Sequence, residues 1–303
     1  MNRRGGLFIA LIGVAAALAL PVASASAATG APTLNLNGPR SPGLLDKVTA
    51  VGRLPGAAPG DQVTVTVQAG GRTVEKKQIG VGADGKFSLL FVIDSCCNYE
   101  VTATSGGKNS SAERFSVSMP KHLGKGPVTR LYNQSLVDAG YYLGAHVSGH
   151  LTLGSRLATL AFRKVNKMAR NYSYKPVIFR KLLMGRGDFR PRYHAGHHVE
   201  VDISRQVMAL VDGDNVVATF HVSTGKSSTP TVRGTYHFYS KTPGYNSHGM
   251  YYSVYFIRGY ATHGYNPVPT HEAASHGCVR NPIPFSVYIY SWIHLGDAIH
   301  VYN

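Results

Sequence analysis

The sequence predicts a multidomain protein with an N-terminal β-sandwich, a small three-helix domain and a C-terminal, mainly-β domain that contains one helix. Three observations support this prediction. Residues 46–119 hold short runs of alternating apolar and polar residues separated by turns. Residues 120–192 place apolar residues at helical spacing. Strand-like runs return in residues 198–303, and one amphipathic stripe lies near their end.

The first residues have the pattern of a secretory signal. Arg3 and Arg4 precede an uncharged run over residues 7–20, and small residues follow at 23–27. This run is shorter than the ~20 residues that a membrane-spanning helix needs. We therefore expect residues 1–27 to be a cleaved signal peptide. The mature protein is then exported to the cell wall or periplasm without a transmembrane segment, and residues 28–45 form a leader.

Residues 46–119 read as a β-sandwich of immunoglobulin-like type. Residues 63–67 alternate valine with threonine, and Gly70 and Gly71 form a hairpin turn signal. Further strands are predicted at residues 87–93, 99–104 and 115–118. No residue pattern here indicates catalysis, so we interpret this domain as a spacer or adhesion module.

Residues 120–192 combine helical spacing with strong positive charge. The segment holds fourteen Lys or Arg residues against Asp138 and Asp188. On an exported protein such charge indicates an anionic cell-wall polymer or membrane surface, whereas export argues against nucleic acid as the partner. Residues 130–183 resemble a small three-helix peptidoglycan-binding domain. The alternatives are a helical linker and a solubilising surface.

Strands are predicted in the last third at residues 199–203, 207–211, 216–222, 251–257 and 260–263. A helix follows, for which Asn281 is a suitable N-cap and Pro282 a suitable first residue. Its buried stripe and its C-terminal stop are expected at Phe285, Ile289, Trp292, Ile293 and Gly296.

The run Ser275-His276-Gly277-Cys278-Val279-Arg280, with His263 and Gly264 upstream, is the strongest chemical signal. A cysteine reacts as a thiolate, so it needs a base or a positive neighbour, and the start of a helix favours the thiolate. Gly277 permits a tight turn that directs backbone amides towards one point, as an oxyanion hole requires.

This run resembles the signature of the L,D-transpeptidase family, the YkuD-type catalytic domain, and the resemblance extends over residues 199–303. It implies that Cys278 is the nucleophile, that His263 is the general base and that the carbonyl of Gly264 orients His263. The amides of His276, Gly277 and Cys278 are the oxyanion-hole candidates. The spacer between His263 and Ser275 is shorter than is usual in the family, which bears on the loop over the site.

Three further residues are candidates for substrate binding. Arg280 is suited to a substrate carboxylate through a bidentate contact, although the same geometry also serves a structural ion pair. The Ser275 hydroxyl could steady the turn. Tyr252 could line the cleft.

The resemblance implies acyl transfer in peptidoglycan biosynthesis and cell-wall organisation, and hence cell shape. The donor is a stem peptide that forms a thioester with the cysteine. The acceptor is an amine of another stem, which gives a 3→3 cross-link, or water. Carbapenems acylate the cysteine of this family.

The cysteines and histidines define the remaining alternatives. Cys96 and Cys97 are adjacent and could form a disulfide or stay reduced, and we predict that Cys278 is free. We expect no cofactor and no metal site, and we interpret His194, His197 and His198 as a solvated linker. Rival functions are a zinc-dependent wall hydrolase that uses His263, His276 and Cys278 as ligands, a non-catalytic wall-binding adhesin and, less favoured, a sortase-type enzyme.

Overall fold

The computed structural model of the protein describes residues 30–303. The predicted signal peptide, residues 1–27, lies outside the described residues. Within residues 30–303, no helix is both long enough and apolar enough to cross a membrane.

The N-terminal part is built of two facing antiparallel sheets. One sheet has the order β1-β2-β5, and the other has the order β4-β3-β6-β7 with β8 paired to β6. The bounds are β1 Thr33–Asn37, β2 Lys47–Arg53, β3 Gln62–Ala69, β4 Arg72–Gly80, β5 Lys86–Val92, β6 Cys97–Ser105, β7 Lys108–Asn109 and β8 Glu113–Val117.

The alternating pattern of β3 has the expected physical result. Val63, Val65 and Val67 are fully buried, while the threonines between them are half-buried. Burial of each valine side chain stabilises the fold by roughly 1.5–3 kcal/mol.

One prediction about this part is wrong, and one strand was not predicted. The supposed leader contains β1, whose Leu34 is buried against the sandwich core. Only two apolar residues alternate there, so the strand signal is weak. The sequence also gave no sign of β4, since this exposed, charged edge strand lacks the apolar alternation that marks a half-buried strand.

Three helices follow the sandwich: α1 Pro127–Asp138, α2 Leu153–Val165 and α3 Pro176–Leu183. Proline occupies the start of α1 and α3, where a missing N–H costs nothing. A reciprocal capping box between Thr152 and Ser155 begins α2.

The helices share their core with both neighbouring parts of the chain. One apolar cluster contains Val65 of the sandwich, Phe162 of α2 and Val207 of the C-terminal part. The positively charged segment is therefore packed into the molecule on both sides. It is not a separate body that can be tested as an excised fragment.

The C-terminal part contains two sheets and one helix. The sheets have the orders β11-β10-β9-β17-β12 and β13-β14-β15-β16. The bounds are β9 His197–Asp202, β10 Val207–Asp212, β11 Asn215–His221, β12 Gly234–His237, β13 Ser240–Tyr245, β14 Tyr251–Ile257, β15 Tyr260–Tyr265, β16 Val279–Pro282, α4 Ile283–Trp292 and β17 Ala298–Tyr302.

The start of α4 differs from the prediction. Asn281 lies within β16, and Pro282 occupies the N-cap position, without a side-chain cap. The Asn281 side chain instead donates to Thr262 Oγ1 at 3.2 Å and accepts from Ser286 Oγ at 2.7 Å. A strand thus separates Cys278 from the helix, so the expected effect of the helix N-terminus on the thiol does not apply.

Candidate active site

The turn before Cys278 is held by the hydroxyl of Ser275. This oxygen donates to the carbonyl of Cys278 at 2.6 Å and accepts from the amide of Gly277 at 3.1 Å. Ser275 is completely buried. The two bonds hold the turn together, and they engage a buried hydroxyl at a residue that the sequence marked as a candidate for substrate binding.

Gly277 has the backbone conformation that favours glycine, with φ at 116°. A Cβ atom at this position would lie 2.8 Å from Cζ of the Tyr260 ring. Both the conformation and the close approach of the ring therefore require glycine here.

Only part of the predicted oxyanion hole remains free. The Gly277 amide is occupied by the Ser275 hydroxyl, so it is not available to an oxyanion in this arrangement. The remaining candidates are the amides of His276 and Cys278. The sequence identified the tight turn but could not show which amide the serine would use.

A second loop, which contains Thr224 and Thr231, supports the turn before Cys278. The Thr224 carbonyl accepts the Ser275 amide at 3.0 Å, and Thr231 Oγ1 donates to the Gly277 carbonyl at 2.9 Å. Both threonines are buried. These threonines were not among the predicted site residues, although they position the turn before Cys278.

The sheet places His263 and Cys278 on one face. β15 and β16 are parallel, and His263 lies opposite Arg280. Cys278 comes two residues before Arg280, so the alternation of side chains puts both on the face that carries His263. Sγ of Cys278 lies 4.0 Å from the carbonyl oxygen of Gly259, in the turn between β14 and β15.

The other face of this sheet is covered by α4. Ser286 of the helix bonds Asn281, which belongs to the alternate set of side chains in β16. Tyr252 packs edge-on against Tyr290 of α4, with ring centroids 5.0 Å apart. Tyr252, the candidate for lining the cleft, thus has its ring against this helix.

The ring of His263 has a fixed orientation. Its Nδ1 lies 2.9 Å from the Gly264 carbonyl oxygen, and a carbonyl can only accept, so Nδ1 carries the proton. In the neutral ring Nε2 is then free to accept a proton. His263 is only 4% exposed, so this contact is shielded from water.

Burial shifts the pKa of each group, His263 and Cys278, in the direction that favours its neutral form. It lowers the pKa of His263, which the Gly264 hydrogen bond opposes and the charge of Arg280 reinforces. Burial raises the pKa of the Cys278 thiol, while the Ala261 hydrogen bond and Arg280 act to lower it. These pKa shifts favour the thiol and the neutral imidazole, whereas the sequence pattern favoured the thiolate.

Arg280 is anchored beside this pair. Its guanidinium carbon lies 3.9 Å from the centre of the Tyr265 ring, and Nη1 donates to the Ala274 carbonyl at 3.2 Å. Its Nε is buried without a hydrogen-bond partner among the described residues. The residue as a whole is half-buried.

His276 is exposed. Within residues 30–303, the only three His, Cys, Asp or Glu side chains with ligand atoms close enough to share a metal ion are His197, His294 and Asp297. A zinc site formed by His263, His276 and Cys278 therefore has no support from the geometry.

The other cysteines and the histidine cluster also have definite places. Cys96 and Cys97 form a disulfide, one of the two states that the sequence left open. Cys278 is free, as predicted. The interpretation of the histidines as a solvated linker is wrong for His198, which is fully buried in β9. His194 is exposed and pairs with Asp214 at 2.7 Å.

Residues 196–301 match a family model described as the L,D-transpeptidase catalytic domain, YkuD. Among solved structures, an L,D-transpeptidase from Xylanimonas cellulosilytica is 28% identical, with a TM-score of 0.56. The match covers 63% of this chain and 100% of that chain. This share is larger than residues 196–301, so the likeness extends beyond the catalytic domain.

Two other solved structures are similar over smaller shares of this chain. The catalytic domain of the E. faecium L,D-transpeptidase is 21% identical over 37% of this chain and 100% of that chain, with a TM-score of 0.33. Mycobacterium tuberculosis L,D-transpeptidase 1 is 23% identical over 36% of this chain and 62% of that chain, with a TM-score of 0.29. No curated protein matches the chain.

Proposed function

Because residues 196–301 form an L,D-transpeptidase catalytic domain, we propose that this protein is an exported enzyme that transfers acyl groups between peptidoglycan stem peptides through a thioester on Cys278. The observation that carries the proposal is the placement of a free thiol and an oriented, neutral imidazole on one sheet face. That pair has the features that nucleophilic catalysis requires.

The acylation step follows from this geometry. Nε2 of His263 takes the thiol proton as Sγ of Cys278 attacks the carbonyl carbon of the donor peptide. The oxyanion that forms is stabilised by the amides of His276 and Cys278. His263 then gives its proton to the departing amine, the peptide bond breaks and a thioester remains.

Deacylation repeats the same proton transfers in the other direction. An acceptor amine loses its proton to Nε2 of His263 and attacks the thioester carbonyl. The sulfur leaves and recovers the proton, which regenerates the thiol. An amine from a second stem gives the 3→3 cross-link, and water gives hydrolysis.

The remaining parts have supporting roles in the proposal. Arg280, anchored on Tyr265, offers its N–H groups to a carboxylate of the substrate. The sandwich, which includes β1, is an immunoglobulin-like spacer. Residues 120–192 form a helical, peptidoglycan-binding-like domain that carries the excess positive charge to the wall.

The test is incubation of the full chain with a tetrapeptide stem, followed by mass spectrometry of protein and products. We expect a covalent adduct on Cys278 together with a cross-linked dimer or a tripeptide. Cys278→Ser should form neither, and His263→Ala should slow adduct formation by about 10²–10⁴-fold. Activity that survives Cys278→Ser but is lost to a chelator would refute the thioester mechanism and support a zinc hydrolase.

A further inference from the structure

We propose that His197, His294 and Asp297 form a binding site for a divalent transition-metal ion of the Zn²⁺ type. His197 begins β9, and the other two lie in the loop between α4 and β17. One ligand atom from each side chain lies within 4.8 Å of the others. The site follows the end of α4, the helix that covers the sheet face opposite Cys278, so it is distinct from the catalytic pair.

The distances suit a small, four-coordinate ion. Asp297 Oδ2 lies 2.8 Å from His197 Nδ1 and 3.6 Å from His294 Nδ1. Metal–ligand bonds of about 2.0–2.1 Å in a tetrahedral zinc site place neighbouring ligand atoms about 3.4 Å apart. The two observed separations lie on either side of that value, so a slight opening of the cluster accommodates the ion.

Two of the three ligands are already held in place. Asp297 Oδ2 accepts the backbone amide of His294 at 2.7 Å. The His197 ring is stacked on Trp292, with centroids 3.5 Å apart. Their side chains are 13% and 27% exposed, whereas that of His294 is 69% exposed. Two ligands that are held in place, together with a third that is exposed to solvent, favour capture of an ion from solution.

The donor set indicates the class of ion. Two imidazoles and one carboxylate suit Zn²⁺, Co²⁺ and Ni²⁺ better than Mg²⁺ or Ca²⁺, which prefer oxygen ligands. Three protein ligands leave a fourth position for water. The nearby cation is Lys241, whose pKa Asp297 acts to raise against the effect of burial. Its Nζ is held by the Ile293 carbonyl at 2.7 Å, so it does not occupy the site.

No metal site was predicted here because its ligands are distant along the chain. His197 and Asp297 are 100 positions apart. In the sequence, the histidines at 194, 197 and 198 therefore form an incomplete set of metal ligands. The fold brings His294 and Asp297, in the loop after α4, next to His197.

The chain provides its own reporter for this site. Trp292 is the only tryptophan and lies against His197. We would strip the untagged full-length chain of metal and titrate it with Co²⁺, following tryptophan fluorescence and visible absorption. One equivalent of Co²⁺ should quench the fluorescence and give the absorption of a four-coordinate ion.

Variants locate the ion. His294→Ala and Asp297→Asn should each weaken Co²⁺ binding by about tenfold or more. His248→Ala, which removes an exposed histidine elsewhere, should bind as the unmodified chain does. His294 is largely exposed, so its replacement keeps the fold and decides the matter if Asp297→Asn unfolds, as circular dichroism would reveal.

Three results would overturn the proposal. The first is no fluorescence change up to millimolar Co²⁺, which would leave a simple histidine–aspartate ion pair. The second is equal affinity of His294→Ala and the unmodified chain. The third is binding that is lost in Cys278→Ser, which would move the ion to the catalytic thiol.

Discussion

Burial shifts the pKa values of the Cys278 thiol and the His263 imidazole in opposite directions. The cysteine pKa rises and the histidine pKa falls, so the uncharged forms of both are favoured at neutral pH. In the proposed mechanism the thiolate is therefore made during attack, by proton transfer to His263. The oriented Nε2 of that ring is what makes the transfer possible.

The lowered pKa of His263 predicts that kcat/KM for acyl transfer keeps its value to unusually low pH. The base stays neutral as pH falls through ~6.5, the ordinary histidine value. The pH dependence of kcat/KM for acyl transfer should therefore decline only at lower pH. A decline centred at or above the ordinary value would contradict the assignment of a buried, neutral base.

Arg280 provides a sharper version of this test. Its charge helps to lower the pKa of His263, so Arg280→Gln should move the acid limb towards higher pH. Loss of substrate binding alone would change KM without this movement. Arg40→Gln, which alters an exposed arginine of the sandwich, is the matched control and should leave the profile unchanged.

Gly277→Ala should disrupt the catalytic turn. The new methyl group would meet the Tyr260 ring, and φ of 116° is strained for any residue with a side chain. We expect a loss of about 1–3 kcal/mol in the free energy of unfolding, together with loss of acyl transfer. Gly80→Ala has no atom within 4 Å of its new methyl and no positive φ, so chemical denaturation should show little change for this variant.

At the scale of elements, α2 is tied to the catalytic part by a buried lysine. Lys164 Nζ contacts His221 Nδ1 at 2.8 Å and the Val222 carbonyl at 3.0 Å. Burial lowers the pKa of Lys164 well below its ordinary value, and it also lowers the pKa of His221. Lys164 is one of the fourteen basic residues counted in the positively charged segment, but the structure leaves it only 2% exposed.

This lysine predicts how stability depends on pH. Below the ordinary lysine pKa of 10.5 the unfolded state binds the proton, while the folded state releases it once the pH exceeds the lowered value. The free energy of unfolding should therefore rise with pH over that window. Lys164→Met should flatten the rise, as measured by urea unfolding from neutral to alkaline pH. Lys121→Met, at an exposed position, should keep it; equal slopes in the two variants would count against the burial argument.

Over the whole molecule, the positive charge remains available despite the shared core. Of the fourteen basic residues in 120–192, Arg163 and Lys164 are buried. The exposed ones are Lys121, Lys125, Arg130, Arg156, Lys167, Lys175, Arg180, Arg186, Arg190 and Arg192. Such a surface attracts an anionic polymer through forces that salt screens.

The full chain should therefore sediment with purified cell wall, and less so as salt rises. Lys121→Gln with Lys125→Gln should weaken sedimentation, since each basic residue near an anionic surface contributes about 1 kcal/mol. Lys76→Gln with Lys77→Gln removes two exposed charges from β4 of the sandwich and serves as control. Equal loss in both pairs would point to net charge alone rather than to this segment.

The sequence by itself identified the candidate nucleophile Cys278, its candidate base His263 and the turn before the cysteine. Cys278, Gly277 and Ser275 are contiguous, and their chemistry is specified by residue type and spacing. The same holds for β3 and α2, where local alternation and helical spacing follow from burial of one face. Weak or charged strands such as β1 and β4 were missed because their pairing depends on neighbours distant in sequence.

Only the tertiary structure decided how those residues act. In the structure, the Gly277 amide donates to the Ser275 hydroxyl, and the Tyr252 ring packs against α4. A strand also lies between Cys278 and the helix. The fold also buried Lys164 and brought His197 to Asp297, 100 positions along the chain. These outcomes depend on contacts between separate elements, which local residue patterns do not encode.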